Sequence, residues 1–66
     1  MITIIVVKDG DERSSSFRRG TTLNTVLRWL KILVRDDEMC VNVKEEEVYF
    51  GTTLHSNQTI TIKKRP

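Results

Sequence analysis

The chain opens on Ile2-Thr3-Ile4-Ile5-Val6-Val7 and closes on Thr59-Ile60-Thr61-Ile62, with a single helical stripe between. β-Branched side chains crowd a helix and pack well on a pleated surface, so both ends read as strands. The stripe is Leu23, Val26, Leu27, Leu30, Leu33 and Val34. Its i, i+3, i+4, i+7 spacing gathers these side chains on one face of a helix. A chain of 66 residues therefore has one helix to lay over its strands. Ile32 falls opposite the stripe, so the helix is expected to loosen near Lys31 and let Ile32 turn inward from a loop. Trp29 lies off the stripe centre and is expected half-buried at the helix flank.

The segments between follow from local chemistry. Asp9-Gly10 tolerates positive φ at both positions and marks a tight hairpin. Residues 12–18 are polar apart from Phe17, as suits an edge strand with one anchor. Thr21 or Thr22 can cap the helix by accepting from free N–H groups of its first turn. Asp36-Asp37-Glu38 reads as an acidic turn. Met39–Lys44 alternates as a strand, with Val41 and Val43 on one face. Glu45-Glu46 reads as a turn and Glu47-Val48-Tyr49-Phe50 as a short strand. Residues 51–58 are a polar connection plugged by Leu54, with Asn57 supplying a positive φ before the last strand.

Size and charge bound the function classes. One domain spanning residues 1–66 is expected, near the lower limit for independent folding. Its stability should be roughly 3–5 kcal/mol. The lone Cys40 excludes an internal disulfide and a cysteine metal cluster, and points to a reducing, cytoplasmic setting. No apolar stretch approaches the roughly 20 residues of a membrane helix. Eleven Lys and Arg against nine Asp and Glu leave a net charge of +2, a mild excess that argues against a nucleic-acid footprint. His55 and Cys40 have no partner at ligand or nucleophile–base spacing, so no catalytic residue, metal or cofactor is expected.

The order hairpin, helix, strand, short strand, final strand matches an α+β, β-grasp (ubiquitin-like) fold, ββαβββ, with a mixed sheet and one helix on one face. In detail the chain resembles the ThiS/MoaD-like sulfur-carrier family and its relative, the TGS domain. Gly20-Thr21-Thr22-Leu23 followed by Val26-Leu27 and Leu30 resembles the entry into that family's helix, Val41-Asn42-Val43 its central strand, and Thr53 through Ile62 its final segment. The resemblance implies a first strand beside the last, the last beside the third, and a helix over one face. Carriers of this family work through a terminal Gly-Gly that an E1-like adenylating enzyme activates. Here the matching stretch is Lys63-Lys64-Arg65-Pro66, whose side chains and proline ring do not suit a narrow channel.

Alternation in that arrangement puts Ile2, Ile4, Val6, Val41, Val43, Ile60 and Ile62 under the helix. The open face then carries Ile5, Val7, Cys40, Asn42, Thr59, Thr61 and Lys63. Ile5 and Val7 stand out, because a solvated sheet face should be polar. The expectation is a non-enzymatic adaptor or inhibitor that binds another protein. Its candidate residues are Ile5, Val7, Asn42, Thr61 and Lys63, with the basic tail Lys63, Lys64 and Arg65 steering an acidic partner. The alternatives are a sulfur carrier with an E1-like partner and a TGS-like nucleic-acid-associated module. The last needs Arg18, Arg19 and the tail to converge on one surface.

Overall fold

A computed structural model describes residues 1–66. Seven elements follow in order: β1 (Ile2–Lys8), β2 (Asp11–Phe17), β3 (Thr21–Thr22), α1 (Leu23–Leu30), β4 (Glu38–Val41), β5 (Thr53–Leu54) and β6 (Gln58–Lys64). The main sheet has the order β2-β1-β6-β4, and β3 pairs with β5 in a small second sheet. β1 runs antiparallel to β2 and parallel to β6, and β6 runs antiparallel to β4. A mixed sheet with its first and last strands parallel at the centre, and one helix across one face, is the β-grasp arrangement.

Local chemistry explains each junction. Asp9 (φ 52) and Gly10 (φ 79) both turn left-handed, which matches the right-handed twist of the hairpin they join. Thr22 caps α1, its Oγ1 accepting from the Thr25 N–H at 3.3 Å. Two more free N–H groups at the helix start, on Leu23 and Asn24, donate to the Thr52 and Phe50 carbonyls at 3.0 and 2.9 Å. Segment 50–54 thus completes the helix N-terminus from outside it.

The helix stops after eight residues. Lys31 adopts the left-handed conformation (φ 58), and the Ile32 N–H reaches back to the Leu27 carbonyl at 3.0 Å. This closure redirects the chain and drives Ile32 against the core, as the sequence expects. The stripe lapses there: Val34 still packs on the core, but Leu33 is 71% exposed. Trp29 is also exposed, contrary to expectation, because it sits more than a quarter turn off the stripe and no other element reaches that side.

The core joins Ile2, Ile4 and Val6 of β1, Ile60 and Ile62 of β6, Leu23, Val26 and Leu27 of α1, and Phe17, Cys40, Val48 and Leu54. The parity of β1 and β6 is as the sequence predicts. That of β4 is reversed. Cys40 pairs with the inward Ile62 and is buried in the core, whereas Val41 pairs with the outward Thr61. A slip of one residue moves every side chain of a strand to the other face. Val43 lies beyond the end of β4 and is 79% exposed.

Two further expectations are corrected. Residues 47–50 form no strand; only Val41 and Glu47 bridge. The strand of this region is instead β5, which anchors Leu54 by pairing with β3. Asn57 takes no positive φ. It accepts the Thr3 N–H on Oδ1 at 2.9 Å, and so ties the start of β6 to β1 by its side chain.

Candidate functional site

The sheet face away from α1 is uncovered. Register places its side chains in rows. Ser14, Ile5 and Thr59 lie side by side on β2, β1 and β6. The next row is Glu12, Val7, Thr61 and Val41. Met39 sits beside Lys63 in the row beyond. Ile5, Val7, Thr61 and Met39 are half-buried, and Val41 is buried between β6 and the Glu47 bridge. The structure therefore brings Ile5, Val7 and Thr61 together, and adds Met39 and Val41 to them.

Asn42 does not join this surface. Its Oδ1 accepts the Lys44 and Glu46 N–H groups at 2.9 and 3.1 Å, and its Nδ2 donates to Glu46 Oε1 at 3.1 Å. The side chain is spent on folding the 42–46 turn, in which Glu45 stands at φ 62. An Asn after a strand is a turn-former by the same chemistry that could make it a surface donor.

The basic tail is tied down. Lys63 Nζ donates to Glu45 Oε2 at 2.9 Å. Arg65 Nη2 pairs with Glu47 Oε2 at 2.7 Å, and its backbone N–H donates to the Asp37 carbonyl at 2.8 Å. The Glu47 carboxylate raises the Arg65 pKa further. Lys64 alone of the three has no ion-pair partner. Arg18 and Arg19 lie beyond the Phe17 end of the sheet, where β1 begins, while Lys63 and Lys64 lie at its Lys8 end. At about 3.3 Å per residue the two basic groups are about 20 Å apart along the strands. They do not converge.

A concavity of about 300 Å³ opens beside β4. Val34, Met39, Val48, Tyr49 and Phe50 line its apolar part, and the Glu47–Arg65 pair closes one side. Cys40 contributes to its floor, but only 2% of the residue is exposed. Burial and the nearby Glu38 and Glu47 charges push its thiol up to about 11, which leaves it protonated and unreactive at neutral pH. At the rim the Glu38 carboxylate accepts the Arg35 N–H at 2.9 Å and faces Lys8 Nζ at 3.4 Å. The Arg35 N–H, and beyond it the Lys8 ammonium, hold the Glu38 carboxyl below the usual range.

Met39 and Val41 carry no local signal that separates them from Cys40. Alternation shows that two faces exist; only the pairing with β6 shows which is which. Tyr49 and Phe50 are 64% and 50% exposed because the segment that carries them is a loop.

No helix is long and apolar enough to cross a membrane. No protein-family model matches the chain, and no curated protein matches its sequence. Among solved structures, the crystal structure of ATBAG1 in complex with HSP70 matches with a TM-score of 0.72 at 9% sequence identity. The match covers 100% of this chain and 41% of that one, so the chain spans less than half of that protein's length. At this identity the likeness concerns the fold: this chain has the α+β, ubiquitin-like β-grasp fold.

Proposed function

We propose that the chain is a non-enzymatic ubiquitin-like module that binds another protein, as an adaptor or an inhibitor, through its open sheet face. One observation carries this reading. Ile5, Val7 and Met39, all half-buried, lie in adjacent rows on the sheet face opposite α1, beside the buried Val41. Grouped apolar side chains on an uncovered face favour association. Thr59 and Thr61 supply hydroxyls among them, and Lys63 with its Glu45 partner forms a charged rim. Such a mix of apolar centre and polar rim is the usual anatomy of an interface. The solved neighbour of the same fold was captured with a protein partner, which accords with this reading.

The geometry lends less to the two alternatives. A carrier tail must extend freely into an E1-like enzyme, whereas Arg65 is held by its backbone and its side chain. A nucleic-acid surface needs its cations gathered, and here they are dispersed or neutralised.

Ile5→Lys tests the reading. A tagged chain should retain a stoichiometric partner from host extract, and Ile5→Lys should lose it with the melting temperature nearly unchanged. Undiminished capture by the variant would remove the open face from the interface. A collapse of melting temperature would place Ile5 in the fold rather than in the binding surface.

A further inference from the structure

The two edges of the main sheet are built differently. The β4 edge is short and closed: the Val48 N–H donates to the Cys40 carbonyl at 2.8 Å and the Asn42 N–H to the Glu46 carbonyl at 3.0 Å. The β2 edge runs seven residues with no glycine, proline or positive φ, and nothing pairs along its outer side. Proteins usually blunt such an edge with lysines, a proline or a bulge.

The outward backbone groups can be assigned. The Thr3 N–H points away from β2, to Asn57 on the β6 side. Successive residues of a strand turn their hydrogen-bonding groups to opposite sides. Ile2, Ile4 and Val6 therefore bond toward β2, and their partners Phe17, Ser15 and Arg13 bond back. Glu12, Ser14 and Ser16 are left to bond outward.

The charges along this edge are their own complement under reversal. Asp11-Glu12 begins the strand, Ser14-Ser15-Ser16 fills its middle, and Arg18-Arg19 follows its last residue, Phe17, in the turn that Thr21 closes on the Arg18 carbonyl. We propose that the β2 edge docks a second copy of this chain, β2 antiparallel to β2, about a two-fold axis through Ser15. That register bonds Ser14 to Ser16 of the second copy, both from the outward set. It sets Glu12 opposite Arg18 of the second copy and brings Asp11 toward Arg19. Glu12, Arg18 and Arg19 take part in none of the ion pairs within the chain, so all are free for this role. Centring on Ser14 instead would oppose Glu12 to Ser16 and Asp11 to Phe17, leaving only Asp9 of the hairpin turn opposite Arg19. Centring on Ser16 would oppose Arg13 to Arg19. A two-fold axis normal to the sheet joins two four-stranded sheets into one and leaves both open faces on the same side. This association is independent of what the open face binds, and either can fail alone.

Sedimentation velocity from micromolar to millimolar concentration tests it. The mass should rise from 7.7 kDa toward twice that value. Glu12→Arg and Arg18→Glu should each weaken self-association by roughly tenfold, because each turns two symmetry-related cross-strand pairs repulsive. The combined swap should restore it. Ser14→Pro should abolish it without unfolding the chain, since that N–H faces away from β1. A chain that stays monomeric at millimolar concentration overturns the proposal, even if its edge captures an extended peptide of another protein. So does a combined swap that associates no better than the single variants.

Discussion

β1 and β6 obey their alternation, while the stretch from Glu38 to Leu54 does not. The difference lies in what sets the parity. On β1 and β6 the inward positions are all large and aliphatic: Ile2, Ile4, Val6, Ile60 and Ile62, each at most 6% exposed. Turning β6 over would bury Thr59, Thr61 and Lys63 in their place, and turning β1 over would bury Thr3 and lose two isoleucines from the core for one. Around β4 the choice is between Cys40 and Val41, two small apolar residues of similar burial cost. Here the pairing with β6 decides, and residue preference does not.

The largest effect should come from breaking the well-determined half. Ile60 is fully buried at the centre of the sheet, paired with Val6. Ile60→Ala should cost about 2–5 kcal/mol in lost burial and cavity. A domain of this size has roughly 3–5 kcal/mol in all, so the variant should be largely unfolded at room temperature. Circular dichroism with urea titration reads this directly. A cooperative transition near the wild-type midpoint would show that the β1–β6 centre is not what holds the fold.

How much of this was legible follows the same line. The hairpin, the helix cap and the inward turn of Ile32 are dictated by residues within a few positions of where they act, whereas the strand order joins residues more than 50 positions apart and was legible only through the family resemblance. Thr22 needs only Thr25, and Asp9-Gly10 needs only its own φ angles. The open-face pair Ile5 and Val7 was legible because β1 was. Met39 and Val41 were not, since their face is fixed by Lys63 and Thr61, which lie 24 and 20 residues further along the chain. β5 was hidden for the same reason: two residues, Thr53 and Leu54, form a strand only because Thr21 and Thr22 lie beside them. Asn42, read as an open-face binding residue, folds the turn after β4.

The inward placement of Cys40 can be sharpened by pH. Its folded pKa is raised to about 11 from an ordinary value of 9.0. A raised pKa means that the unfolded chain ionises first as pH rises. The stability held by the neutral buried thiol is complete below about 9 and is lost progressively toward 11. Two units correspond to about 2–3 kcal/mol at the alkaline limit. Urea midpoints of wild type and Cys40→Ala should therefore converge or cross as pH climbs through this window. A thiol reagent at pH 8 should react only as fast as the chain opens. Reaction at the rate of a free thiol would put Cys40 on the open face and reverse the β4 assignment.

The smallest effect should come from the 42–46 turn. Asn42→Ala deletes two side-chain acceptances and one donation, all in an exposed loop where water can replace them. The cost should be about 1–2 kcal/mol, from N–H groups of Lys44 and Glu46 left to solvent and a loop less well ordered. Val43→Ser, inside the same turn, should cost less than about 0.5 kcal/mol, because Val43 is exposed and touches no core. The pair of variants separates a turn held by one amide from a strand continuing through Val43. In a continued strand Val43 would be the costly substitution and Asn42 the cheap one. The turn also positions Glu45 against Lys63. Asn42→Ala should therefore loosen the rim of the open face, visible as amide shifts at Lys63, while Ile5 and Val7 stay unperturbed at the centre of the sheet.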